Sequence, residues 1–298
     1  MIQVPAAFAA STVAREGAAG ERWISSLPDL VEEHCALWGL EPTGPVRHGY
    51  VGIVIPVVRE GAKLALKVSW VDESSRQEAL VLHSWNGHGA VRLMESRDES
   101  GALLLEWLNP DRTLGTVSPD TASEIAGVLL RRLAIPAPGQ LRSVREEINE
   151  LVGELEGRWQ QLGRPFSARL VEHTLELCAT ERESDDQLIV NRDLHYDNVL
   201  AGEREPWSVI DPKALAGDVE FGVAQLLWNR FEELGDRAGL ERRLRIIAEA
   251  AELDADASRR WTVVRLVDYW LWTLSEGFTE DSARCSTLIG WLVPSFAG

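Results

Sequence analysis

The sequence predicts an α+β fold of two lobes, a small β-rich N-terminal lobe and a larger, mainly helical C-terminal lobe. Three observations predict it. Residues 46–70 and 101–108 fall into short apolar runs bounded by turn residues, the pattern of strands. Beyond residue 118 most apolar residues recur at helical spacing. Inside that helical stretch, residues 188–213 break into three short apolar runs, Leu188-Ile189-Val190, Val199-Leu200 and Trp207-Ser208-Val209-Ile210, with polar loops between them.

In chain order, residues 21–40 place Leu30, Val31, His34, Leu37 and Trp38 at helical spacing, with Pro28 suited to a first turn. His34 lies on the apolar stripe and reads as a core histidine with satisfied nitrogens. Strands are expected at 46–50, 51–59 and 63–70, the last two joined by a turn at 59–61. Gly49 and Gly52 flank the first junction, where missing side chains would let backbone amides approach phosphates; glycines in a hairpin are equally well explained as turn formers. Alternation along 64–68 puts Leu64, Leu66 and Val68 on one face and Ala65 with Lys67 on the other. A small residue and a point charge sharing a face suit a nucleotide site. The helix expected at 73–85 turns Glu78, Leu82 and Trp85 inward, which makes Glu78 the partner for Lys67; its rival Glu73 sits in the first turn, where the helix dipole explains a carboxylate.

Residues 101–108 form a buried strand ending at Asn109-Pro110, the expected boundary between an N-terminal nucleotide-binding lobe with a helical extension (1–108) and a C-terminal lobe (109–298). Helices follow at 118–133, 143–161, 166–181, 219–234, 238–252 and 256–277. The Glu- and Arg-rich 143–161 helix reads as a solvated face. In the last helix Asp268, Trp272 and Glu276 recur every four residues, which suits either a substrate-binding face or an Asp268–arginine pair.

The loops of 188–213 carry the chemistry. Asp193 and Asn198 are separated by four residues and Asp211 follows the next apolar run, the D-x4-N then D order of a kinase catalytic core. Phosphoryl transfer needs a carboxylate to orient the attacking hydroxyl, and an amide oxygen with a second carboxylate for Mg²⁺. Asp193 fits the first role, Asn198 and Asp211 the second. The 211–230 stretch has no long activation loop and no A-P-E signature, which disfavours a protein kinase.

The run N-R-D-L-H-Y-D-N-V-L followed by E-P-W-S-V-I-D-P-K-A-L-A-G-D resembles the aminoglycoside/hydroxyurea phosphotransferase family, in particular its streptomycin 6-phosphotransferase branch, over nearly the whole chain. The resemblance implies a protein-kinase-like fold, ATP (or GTP) and Mg²⁺ as cofactors, Lys67 as the strand lysine of the nucleotide site, and a hinge at 106–110 whose backbone around Glu106 to Leu108 meets adenine. It implies as acceptor a hydroxyl of a small cationic antibiotic, streptomycin first, with hydroxyurea or an amino sugar as runner-up and a catalytically impaired nucleotide-binding homologue as a further alternative. Asp218, Asp268, Trp272 and Glu276 are the candidate acceptor residues. Two departures stand out: Asn191 where the family usually has His, and Gly222 where it commonly has a second acid, with Glu220 nearby.

Composition agrees. The net charge of −17 disfavours nucleic acid and anionic membranes and favours a cationic partner. No run of about 18 apolar residues or export signal is seen, so a cytoplasmic location without an obligate protein partner is expected. Cys35, Cys178 and Cys285 lack metal or redox spacing. Of 30 basic residues only Lys63, Lys67 and Lys213 are lysines, so each asks for a reason.

Overall fold

The computed structural model describes residues 2–181 and 187–296. They form two compact units, Met1–Asn109 with Ala201–Ser208, and Pro110–Leu200 with Val209–Gly298.

The first unit opens with α1 (Ala6–Trp38), followed by β1 (Glu41–Pro42), β2 (Arg47–His48), β3 (Gly52–Arg59), β4 (Ala62–Ser69), α2 (Glu73–Trp85), β5 (Leu93–Arg97) and β6 (Ala102–Glu106). Its antiparallel sheet has the order β1-β3-β4-β6-β5, with β2 also on β3. Glu60 (φ 52°) and Gly61 (φ 82°) close the β3–β4 hairpin, the two left-handed residues of a type I′ turn. Leu64, Leu66 and Val68 pack with Ile53, Ile55 and Leu104 in one core against α1. α1 differs from expectation: it starts near the N-terminus, kinks at Gly17 (φ 60°) and holds Pro28 in its interior. His34 is buried, its Nδ1 2.6 Å from the Leu30 carbonyl and its Nε2 2.9 Å from Ser100 Oγ, so both ring nitrogens are used.

The turn 201–208 was expected with the C-terminal lobe and instead groups with the first unit. Arg204 explains it: the guanidinium donates to Glu106 Oε2 (3.0 Å), to the Ala90 carbonyl (3.0 Å) and to the Gly87 carbonyl.

The chain passes between the units within three short strands, β7 (Asn109–Thr113), β9 (Val199–Ala201) and β10 (Ser208–Val209). The second unit is built on α3 (Pro119–Leu133), α4 (Val144–Gln161), α5 (Ala168–Glu181), α6 (Ala224–Trp228), α7 (Arg237–Ala251), α8 (Ala255–Glu276) and α9 (Thr279–Leu292). β8 (Leu188–Asn191) pairs antiparallel with β11 (Ala214–Gly217), Asn191 opposite Ala214. Sequence reading missed α9 and drew 219–234 as one helix. The chain there is a 3-10 turn, the short α6, extended Asn229, left-handed Arg230 and another 3-10 turn. Arg230 is held in that break by donating to the Val117 carbonyl at 2.9 Å. Among the described residues no helix is long and apolar enough to cross a membrane.

Candidate active site

In the first unit Lys67 and Glu78 are 7% and 4% exposed. Lys67 Nζ lies 2.7 Å from both Glu78 Oε1 and Oε2. Strand alternation and an inward turn of α2 produce this buried pair. Asp72 and Ser75 fix the start of α2 with a reciprocal capping box. Ala65 is buried on β4, whereas Lys63 is exposed. The Glu73 side chain lies outside what the structure describes.

The two glycines have local explanations. Gly49 N–H donates to the Gly52 carbonyl at 3.0 Å, so that amide is engaged in the hairpin. A Cβ at Gly52 would lie 2.7 Å from Ser69 Oγ and 2.8 Å from the Val68 carbonyl oxygen, so close strand packing requires glycine there. The Glu106 amide is also taken, by the Arg92 carbonyl at 3.0 Å, and its carboxylate by Arg204. Leu108 is buried.

The second unit gathers Asp193, Asn198 and Asp211. Asn198 Nδ2 donates to the Asp193 carbonyl at 3.4 Å, which turns its Oδ1 the other way. Ile210 N–H donates to the Asn198 carbonyl at 2.9 Å, which sets Asp211 beside Asn198. Asp211 itself is left-handed at φ 51°, a conformation that costs a non-glycine residue about 1 kcal/mol or more and clusters at functional sites. An amide oxygen and a carboxylate are hard donors of the kind Mg²⁺ takes. Among the described residues no group of three or more His, Cys, Asp and Glu offers a different metal cage.

The loop around Asp193 is anchored at several points. Asn191, 3% exposed, accepts through Oδ1 from both Asp193 N–H and Lys213 N–H, each at 3.1 Å. The residue that departs from the family pattern thus ties the loop to the segment after Asp211. Gly222 lets the 3-10 turn 219–223 approach, since a Cβ there would sit 3.0 Å from the Asn191 carbonyl oxygen. Glu220 is engaged with the Asp254 amide at 3.3 Å, and burial raises its carboxyl above the usual range. Tyr196 is buried and donates to the Leu226 carbonyl at 3.2 Å. Sequence reading missed two further contacts. Gln225 Nε2 donates to Asp193 Oδ1 at 2.7 Å, and Arg265 donates to the Arg192 carbonyl at 2.8 Å. Burial pushes the Arg265 guanidinium down to about 10. A polar residue inside the apolar run V-A-Q-L-L-W was the one available signal for Gln225.

Two of the cavities in this unit adjoin the Asp193 loop. Asp193 and His195 line one of about 310 Å³, and a larger one of about 500 Å³ lies against α4 and α8. Gln225, Trp228 and Tyr269 line both. Trp228, Tyr269 and Trp272 stack in sequence, with centroids 5.2 and 5.5 Å apart. Asp268 and Trp272 reach the larger cavity. Asp218 and Glu276, the other candidate carboxylates, are not on its wall. Asp218 is half-buried at the start of the 3-10 turn, and Glu276 is exposed at the end of α8. A step of eight residues rotates about 80° around a helix of 3.6 residues per turn, whereas a step of seven nearly closes two turns; Ser275 therefore takes the position on the wall.

The α4 face is a second correction. Glu147, Leu151, Glu154 and Arg158 line the cavity instead of forming only a solvated surface. Most acids on this wall already have arginines: Asp268 accepts from Arg158 at 2.7 Å, Glu147 pairs with Arg192, and Glu150 with Arg142.

A family model described as aminoglycoside/hydroxyurea antibiotic resistance kinase matches residues 37–277. The chain belongs to this family. It is 37% identical to a streptomycin 6-kinase of Streptomyces griseus over 93% of each chain. It is also 37% identical to a hydroxyurea phosphotransferase of Kitasatospora aureofaciens, covering 93% of this chain and 82% of that one. Among solved structures, a thermostable mutant of the aminoglycoside phosphotransferase APH(4)-Ia, in ternary complex with ADP and hygromycin B, aligns with a TM-score of 0.59 at 17% identity over 89% of this chain and 98% of that one. The fold is thus the protein-kinase-like fold of the aminoglycoside phosphotransferases.

Proposed function

We propose that this kinase transfers the γ-phosphoryl group of ATP to a hydroxyl of a small cationic antibiotic, with the 6-hydroxyl of streptomycin as the favoured acceptor. The observation that carries the reading is 37% identity to a streptomycin 6-kinase over 93% of both chains, in a chain where Asn198 donates to the Asp193 carbonyl and the Ile210 amide to the Asn198 carbonyl. Asp193 orients the acceptor hydroxyl and takes its proton. Asn198 and Asp211 hold Mg²⁺, which supplies charge neutralisation on the phosphates. Lys67, oriented by Glu78, binds phosphate oxygens as a point charge. Cavities of about 310 and 500 Å³ suit an acceptor of several rings better than hydroxyurea, and exposed Trp272 at the end of the stack offers a ring to a guanidinium.

The test is transfer of label from γ-radiolabelled ATP to streptomycin, hydroxyurea and a panel of amino sugars, with the phosphorylated position read by NMR. Phosphate on the streptomycin 6-hydroxyl is the expected product. Transfer to hydroxyurea alone would move the substrate to the other branch of the family. Nucleotide binding without transfer to any acceptor would make the chain a binding protein that has lost turnover.

A further inference from the structure

We propose that Lys213 is a catalytic residue that donates hydrogen bonds to the transferring phosphoryl group, held against Asp193 by the Asn191 side chain. The inference rests on the phosphotransferase reading and adds a second cation to it. Lysine is scarce in this chain, and two of the three have clear settings: Lys63 is exposed and Lys67 is buried on Glu78. The third stands beside the candidate base. Lys213 Nζ lies 3.9 Å from Asp193 Oδ2, beyond hydrogen-bond length, and among the described residues the ammonium has no hydrogen-bond partner. Asp193 Oδ1 is occupied by Gln225 at 2.7 Å, so Oδ2 is the oxygen left for an incoming hydroxyl.

The Lys213 backbone is fixed beside that of Asp193. Asn191 Oδ1 accepts from the amides of both Asp193 and Lys213, and Arg192 N–H donates to the Lys213 carbonyl at 2.9 Å. Together with the β8–β11 register this leaves little freedom between the two backbones.

In the transfer the acceptor oxygen forms a bond to the γ-phosphorus, the bond from that phosphorus to the β,γ-bridging oxygen breaks, ADP leaves, and the hydroxyl proton passes to Asp193. The reacting atoms start about 3–3.5 Å apart, so the phosphoryl oxygens come close to whatever flanks Asp193 Oδ2. Negative charge spreads over those oxygens in the transition state. An ammonium already positioned there stabilises that charge without reorganisation and without giving up its proton.

The experiment compares the full-length parent with Lys213→Met and Lys213→Gln, using exposed Lys63→Met as control. Calorimetry measures Mg²⁺-AMP-PNP and Mg²⁺-ADP binding, and kinetics measure kcat and both KM values with streptomycin. Expected is an affinity loss of about tenfold for AMP-PNP with ADP unchanged, and a kcat about 10²-fold lower with the streptomycin KM within a few-fold. Equal losses for ADP and AMP-PNP, or a kcat within a few-fold of the parent, would overturn the assignment. The two variants differ in shape and polarity, so either one that folds gives the reading. If the parent phosphorylates no acceptor, the functional proposal fails, while the AMP-PNP to ADP ratio still reports on Lys213.

Discussion

Replacing Lys67 with methionine would strand a carboxylate in the interior of the first unit. Glu78 is 4% exposed, and both its oxygens lie 2.7 Å from the Lys67 ammonium. Breaking such a pair from one side costs about 3–5 kcal/mol, because the surviving charge keeps its desolvation penalty and loses the attraction of the ammonium. For a chain of this size each kcal/mol lowers Tm by about 2–4 °C, so the loss is about 6–20 °C. Removing both charges should cost far less: Lys67→Met with Glu78→Leu replaces the pair by side chains of similar volume and is expected within about 2 kcal/mol of the parent. Urea denaturation of the two single variants and the double, followed by tryptophan fluorescence, closes the cycle, with an expected coupling of about 3 kcal/mol or more. Single losses below about 1 kcal/mol, or a double variant that loses the sum, would refute the buried-pair argument. Nucleotide affinity is a separate readout, because Lys67→Met should weaken ATP binding even in the stable double variant.

Asp193→Asn is expected to lower kcat by about 10²- to 10⁴-fold with nucleotide affinity nearly intact, since the hydroxyl loses its proton acceptor while the metal ligands remain; steady-state kinetics beside ATP calorimetry checks this. Asp268→Asn removes one carboxylate from the larger cavity and frees the Arg158 guanidinium bonded to it, so the streptomycin KM should rise about 3- to 10-fold at low salt and less at high salt, with the ATP KM and the KM of neutral hydroxyurea unmoved. Glu220 has a carboxyl raised by burial: the folded state holds its proton to higher pH than the unfolded state, so the charged form costs stability increasingly as pH rises from the unfolded to the folded pKa. Glu220→Gln keeps an acceptor for the Asp254 amide and should raise Tm by about 1–3 °C at neutral pH, with a smaller gain in mild acid.

What the sequence made legible was local. A period of two along 64–68 separates Lys67 from the core face of its strand, and a period of 3.6 turns Glu78 toward it; neither inference needs knowledge of distant residues. The Asp193 to Asn198 spacing is likewise contained in one loop. What stayed hidden was made by the fold: Gln225 meets Asp193 across 32 residues and Arg265 meets Arg192 across 73. Pattern reading also failed where one composition serves two settings. A helix dense in Glu and Arg looks solvated, yet α4 turns one such face to a cavity, where arginines from outside the helix pair with its carboxylates: Arg192 meets Glu147 and Arg142 meets Glu150. That pairing alters the physical problem set by a cationic acceptor. Most acids of the wall are thus not an open negative surface, so a guanidinium that approached Asp268, Glu147 or Glu150 would exchange with one already there. Exchange of like for like would give a smaller net Coulomb energy than binding to bare carboxylates, so a cationic acceptor in this cavity would draw part of its affinity from the exposed ring of Trp272.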